Sequence, residues 1–387
     1  MGVLVHMLLV AELACCAHPA GAAAPADPGS WGAIANMSKP RDNLGVGVLN
    51  NKLYAVGGIN GGECSLETAE CYNPGEDSWA AIAPMSTQRY GLGLGALEGL
   101  LYAAGGGYPP LKSAERYNAT ANSWAAIANM STGRRELAVG VLDGLLYVSC
   151  RAAALALPRV QRCTRCSPPF PPPSLPPPSP LPPPSLPPPH TQAVGGITST
   201  GSSLCTAERY NPGTDSWAFL APMSTQRYGP GVGAVGGLLC VVGGVQVEHR
   251  PSGDFPSYLT SAECYNATTD TWAAIAPMKA ARSSPGVGVL GGRLYVVGGQ
   301  HQMVGLDSVE RYDPATDTWT LLAPMSTVRS FVGAGVLGGA LYAVGGATGD
   351  VGFLASAERY TPQKPTTPTT PAAQPPPLLR GSPPEFV

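Results

Sequence analysis

One ruler recurs along this chain: a Met, an Arg four residues later, a Gly-Gly pair, a Glu-x-Tyr, a Trp seven residues after that Tyr, and a Met six beyond the Trp. The six Trp residues, Trp31, Trp79, Trp124, Trp217, Trp272 and Trp319, all belong to it. A period of about 45–50 residues specifies a stack or ring of like units, each unable to bury its apolar face alone. In the unit 41–85, four short segments within Leu44–Leu49, Lys52–Gly58, Glu70–Tyr72 and Ser78–Met85 are bounded by turn residues. None has helical spacing, so each reads as a strand. The first turn carries Asn50-Asn51, Glu98-Gly99, Asp143-Gly144, Gly236-Gly237, Gly291-Gly292 or Gly338-Gly339, mostly residues that accept the positive φ of a two-residue hairpin.

A four-stranded antiparallel sheet repeated around a ring is a β-propeller, which leaves only short protected edges. Gly-Val-Gly-Val is expected innermost, where alternating Gly lets backbones converge. The Tyr and Trp of the outer strands are expected to wedge between neighbouring sheets. With its Gly-Gly, Glu-x-Tyr, spaced Trp and Pro-Met-Ser-Thr-x-Arg stretch, the chain resembles Kelch repeats, and more closely those of the Kelch-like ubiquitin-ligase adaptors. The resemblance runs from Trp31 to Tyr360, and the Arg-to-Gly spacing is 16 in five of six units. The last unit lacks its Trp strand and the first Trp lacks the rest of its unit. The expected fold is therefore an all-β, six-bladed propeller over 27–361, its last blade closed by an N-terminal strand around Trp31.

The third unit breaks the ruler. After Tyr147 comes a stretch rich in Pro, Ser and Leu, and the blade pattern resumes at Ala193-Val-Gly195-Gly196. Removing residues 148–192, 45 in all, restores the spacing of 16. An insertion inside a paired strand is unfavourable, because loops absorb insertions and ladders do not. The segment reads as a translated retained intron: Val-Ser and Gln match common donor and acceptor codons, and Pro, Ser, Leu and Phe codons are pyrimidine-rich. The alternative is a genuine polyproline II insert. Sequencing the mature message decides between them.

Charged residues are only 12% of the 387, the net charge is −2, and no basic run stands out, so no nucleic-acid partner is expected. The blade cysteines read as small core or loop residues. Cys163-x-x-Cys166 has metal spacing but no second pair. Residues 1–26 are apolar and Ala-rich, a signal-peptide-like stretch with no preceding Lys or Arg, and too short and broken to span a bilayer. The expected compartment is cytoplasmic, with secretion the alternative. Four sequons, at Asn36, Asn118, Asn129 and Asn266, matter only on the secretory route. The Pro/Thr-rich tail, 362–387, reads as disordered.

Loops between the second and third strands share a face with the links between blades. The resemblance implies that a partner protein or peptide binds there. The residue after each unit Arg lies at its mouth, which gives Tyr90, Tyr228, Ser283 and Ser330 as contacts. Tyr108 comes from a loop after Gly-Gly. One such loop is long, with 18 residues between Gly244 and Glu263 against eight to eleven in other units, and it offers His249, Arg250, Phe255 and Tyr258. The unit Arg residues read as structural clamps. The adaptors' role implies substrate presentation to a cullin-type ligase, but the 26 residues before the propeller cannot hold their dimerising region, so either another chain supplies it or the ligase role does not apply. A rival reading is an oxidase-like Kelch enzyme with copper held by His249 and His301 together with Tyr90 or Tyr258. The leading reading is a non-enzymatic binding module with no cofactor.

Overall fold

The computed structural model describes residues 29–61, 65–151, 205–250, 253–349 and 352–362. Among them are six four-stranded antiparallel sheets. Blade 1 is Gly45–Leu49, Lys52–Val56, Ala69–Asn73 and Ser78–Ile82. Blade 2 is Gly93–Leu97, Leu100–Ala104, Ala114–Asn118 and Ser123–Ile127. Blade 3 is Arg135–Leu142, Leu145–Arg151, Glu208–Asn211 and Ser216–Phe219. Blade 4 is Gly231–Val235, Leu238–Val242, Ala262–Asn266 and Thr271–Ile275. Blade 5 is Gly286–Leu290, Arg293–Val297, Val309–Asp313 and Thr318–Leu321. Blade 6 takes Gly333–Leu337, Ala340–Val344 and Ala357–Thr361 from the end of the repeat array and Ser30–Ile34 from its start, with Trp31 opposite Tyr360. The ring closes as the divided last unit requires. No helix among the described residues is long and apolar enough to cross a membrane.

All twelve residues of the first turns sit at positive φ, from Asn50 at 49° to Gly339 at 75°. That is the mirror-type hairpin geometry that matches strand twist. On the inner strands, a Cβ at Gly93 would stand 2.1 Å from Val139 Cγ2 of the next blade. Each blade thus leaves room at the axis for its neighbour's Val or Leu.

The core lies between blades rather than within them. One cluster joins Tyr54, Val56 and Met85 of blade 1 to Leu94, Leu101 and Tyr117 of blade 2. Another joins Tyr342 and Val344 of blade 6 to Leu53 and Tyr72 of blade 1. The polar seam is as regular. Each Trp indole donates to a carbonyl of the preceding blade, as Trp79 to Ala35 (2.9 Å) and Trp31 to Ala323 (3.0 Å). The same Ala35 donates its amide to Asp77 Oδ1 (3.0 Å), which also accepts from the Tyr72 hydroxyl (2.7 Å). The Ala35 amide and the Tyr72 hydroxyl hold the Asp77 carboxyl below its usual range.

The six unit Arg residues, Arg41, Arg89, Arg134, Arg227, Arg282 and Arg329, are buried, and each pairs with the Glu of Glu-x-Tyr in its own blade. In blade 6, Arg329 Nη1 donates to the carbonyls of Gly345 (2.8 Å) and Ser356 (2.9 Å), while Nη2 reaches Ser356 Oγ and Glu358 Oε1, both at 3.0 Å. The clamp expected of these residues is therefore what they form, tying the Gly-Gly corner to the third strand. Burial works to raise the Glu115 and Glu358 carboxyls. The hydroxyl and amide of Ser86 or Ser326, with Arg89 or Arg329, more than offset it, and both lie below the ordinary 4.5. A depressed carboxyl contributes stability that is complete above its unfolded value and lost as pH falls through its folded value. The urea midpoint is therefore expected to hold from about pH 7 to about pH 5 and to fall below about pH 4; in Glu115→Gln the fall would be shallower.

Three features differ from the sequence reading. The second strand of blade 3 continues past Tyr147 to Arg151, with Val148 opposite both Val139 and Glu208. Residues of the irregular stretch thus occupy ladder positions, while 152–192 and the resumption at Ala193 lie outside the described residues. So do 1–26 and the tail from 363. Second, Cys240 and Cys264 are not isolated small side chains. They face each other across adjacent strands of blade 4 and form a disulfide, because Cys240 stands where blade 1 carries Tyr54 and blade 5 Tyr295. Third, three loops after Gly-Gly fold into ribbons, Val245–Arg250 with Gly253–Tyr258, Gln300–His301 with Val304–Gly305 and Ala347–Thr348 with Gly352–Phe353.

Candidate partner-binding face

The links between blades and the loops after Gly-Gly share one end of the ring. At its centre is an axial cavity of about 140 Å³ lined by the inner strands. Its rim is made by the second residue after each unit Arg: Asn43, Gly91, Glu136, Gly229, Ser284 and Phe331. All six have a left-handed φ between 51° and 59°. There the backbone turns to bond the next blade: Gly91 N donates to Asn43 O and Ser284 N to Gly229 O, both at 2.7 Å, and Asn43 N donates to Phe331 O at 3.3 Å. Sequence reasoning missed this rim. Asn and Gly suit a left-handed backbone, but Glu136, Ser284 and Phe331 carry no such signal.

One residue back, the expected contacts divide. Tyr228, Ser283 and Ser330 are 3%, 0% and 4% exposed, which corrects their assignment as surface contacts. Each is bonded in an antiparallel bridge to the loop after its own Gly-Gly pair, Tyr228 to Val245, Ser283 to Gln300 and Ser330 to Ala347, so the loop roofs the residue over. Tyr228 packs with Val245, Val247 and Tyr258.

Tyr90 and Tyr108 come together. Tyr108 is 77% exposed, and the Arg135 guanidinium lies over its ring at 5.0 Å. Arg135 Nη1 also donates to the Tyr90 hydroxyl (3.2 Å). Burial pushes that hydroxyl's pKa up, so it stays protonated. An arginine pinned between two tyrosines holds Tyr108 upright at low entropic cost.

The second group spans blades 4 to 6. The Tyr258 ring lies 5.2 Å from that of His301, and His301 Nδ1 donates to the Ala281 carbonyl (3.1 Å). Phe255, Met303, Val304 and Val328 stand exposed around them. His249 and Arg250 pair through their backbones with Asp254 and Gly253, and their side chains lie outside the described ones. Of the proposed copper donors, the structure describes the side chains of His301, Tyr258 and Tyr90. Tyr258 meets His301, but Tyr90 belongs to the group on blades 2 and 3, and no cluster of three His, Cys, Asp or Glu occurs among the described residues.

Comparison with known proteins completes the picture. The Kelch motif matches residues 40–86, 88–131, 193–224, 226–279 and 281–326, more than half of the chain. Human Kelch-like protein 28 is 38% identical over 107 residues, covering 28% of this chain and 19% of that protein. Zebrafish (Danio rerio) Kelch-like ECH-associated protein 1B is 36% identical over 107 residues, 28% and 18% of the two chains. Human influenza virus NS1A-binding protein is 38% identical over 82 residues, 21% and 12%. The similarity thus spans less than a fifth of each relative's length. The solved structure of YjhT aligns with a TM-score of 0.61 over 84% of this chain and 95% of that one at 13% identity, a likeness of fold alone. Repeated motif, closed ring and buried Arg–Glu clamps agree: the chain belongs to the Kelch-repeat family.

Proposed function

We propose that this propeller is a protein-interaction module that holds a partner protein or peptide on the face carrying the blade links. One observation carries the reading. Of the seven exposed large hydrophobic side chains among the described residues, five, Tyr108, Phe255, Met303, Val304 and Val328, lie on this face, and only Phe219 and Leu321 lie on outer strands. Exposed apolar side chains gathered at one end of a molecule mark a contact surface. Tyr108 is the anchor, since a rigid aromatic with a polar tip is the side chain most often carrying interface energy. The resemblance to adaptors supports a protein as the partner. Presentation of that partner to a ubiquitin ligase is the finer form of this reading.

Affinity capture with Tyr108→Ala, Phe255→Ala and Phe219→Ala variants tests the face. Truncating a central anchor costs about 2 kcal/mol, so Tyr108→Ala is expected to weaken partner binding about thirtyfold. Phe219→Ala is expected to leave it unchanged. Equal recovery by all three variants would place the partner elsewhere.

A further inference from the structure

Two blades carry a turn that differs from its siblings in chemistry but not in shape. Between the third and fourth strands, Asn73 and Asn211 are each followed by Pro-Gly, and their Oδ1 atoms accept from the amides of Gly75 (3.1 Å) and Gly213 (2.9 Å). Asn118 and Asn266 make the same turn with Ala-Thr instead. Asn118 Oδ1 accepts from Thr120 N (2.9 Å) and Ala121 N (3.1 Å), and Asn266 Oδ1 accepts from Thr268 N (2.9 Å). Each Asn-Ala-Thr is an acceptor tripeptide for N-glycosylation, which needs a surface loop. The turn uses only Oδ1, so the amide nitrogen that bonds the sugar is unengaged. Asn118, Thr120 and Thr268 are exposed, and Asn266 is half-buried. The other two sequons are tied down: Met37 and Met130 are core side chains, and the Ser38 and Ser131 amides donate to Glu70 (2.8 Å) and Glu208 (2.9 Å).

A second, independent observation points the same way. Cys240 and Cys264 are bonded across the ladder of blade 4 at a Cα separation of 4.0 Å. Structural disulfides persist in oxidising compartments, the route on which N-glycans are added. From these two observations we infer that Asn118 and Asn266 are N-glycosylation sites. In the reaction, a bond forms between Asn Nδ2 and C1 of an oligosaccharide, and the C1–O bond to a polyisoprenyl diphosphate carrier breaks. Nδ2 loses one proton, the diphosphate leaves, and nothing is oxidised or reduced. Both turns lie on the face opposite the blade links, so the glycans leave the proposed partner surface clear.

Peptide mapping of the full chain from the cells that make it tests this, before and after a peptide N-glycosidase that converts glycan-bearing Asn to Asp. Asp is expected at 118 and 266, with Asn73 and Asn211 unchanged. Thr120→Ala keeps the turn-forming Asn118 and is expected to lose that glycan alone. Cys240 and Cys264 are expected to resist alkylation until reduced. Recovery of unmodified Asn118 and Asn266 from the native chain would overturn the inference, as would alkylation of the cysteine pair without reduction. Neither outcome bears on whether Tyr108 contacts a partner.

Discussion

Arg89→Ala is expected to destabilise the propeller by about 3–5 kcal/mol, the usual cost of leaving one member of a buried ion pair without its partner. Arg89 is 0% exposed. Its Nη1 donates to the carbonyls of Gly105 (2.8 Å) and Ser113 (2.9 Å), and its Nη2 to Ser113 Oγ and Glu115 Oε1, both at 2.9 Å. Truncation leaves two carbonyls and a carboxylate facing a void that no other side chain fills. The corner is also an inter-blade contact, because Gly106 N donates to the Arg134 carbonyl of blade 3 (2.7 Å). Urea unfolding followed by Trp fluorescence measures the loss. The pair itself is weak evidence of net stability, since desolvating two charges offsets most of their attraction. The double variant Arg89→Met/Glu115→Leu is therefore expected to lose less than Arg89→Ala alone. A single variant within about 0.5 kcal/mol of wild type would show that the clamp carries no structural load.

Removing the closing strand should do more damage still. Trp31 stacks on Tyr360 with ring centroids 5.3 Å apart, and Ser30–Ile34 runs the length of the third strand of blade 6. The next residue, Ala35, receives the Trp79 indole and donates to Asp77 of blade 1. Deleting residues through 36 would strip the fourth strand of blade 6, open Tyr360 to solvent and cut the polar seam to blade 1 together. Trp31→Ala alone is expected to cost about 3 kcal/mol, the low end for a large aromatic that is only half-buried. The deletion should exceed that and abolish the single cooperative transition, because the large core clusters each bridge two blades and an open ring exposes one of them. A peptide spanning residues 29–37 added in trans is expected to restore the transition. A cooperative, wild-type-like melt of the truncated chain would mean that the ring does not depend on its closure.

Much of this architecture is legible from the chain alone. Blade number follows from counting Trp. Closure follows from an orphan Trp31 at one end and a Trp-less unit at the other. The structural role of the Arg follows from its spacing of 16 to Gly-Gly in five of the six units. These signals sit within one unit, where sequence separation and spatial separation run together. The candidate face is legible only in outline. Tyr90 and Tyr228 occupy equivalent positions after their Arg, yet Tyr90 meets Arg135 beneath an exposed Tyr108, whereas Tyr228 disappears under the ribbon beginning at Val245. The path of the following loop makes the difference, and loop paths are set by contacts to the neighbouring blade.

By itself, the repeat determined a six-fold ring of four-stranded sheets, because strand alternation, hairpin turns and inter-blade wedges are encoded locally and simply recur. The tertiary structure alone decided which residues of the mouth meet solvent, that Cys240 and Cys264 bond, and that Glu136, Ser284 and Phe331 take the left-handed backbone of the axial rim. Those outcomes depend on residues brought together from different strands, loops and blades, and such proximity is a property of the closed ring rather than of any one unit.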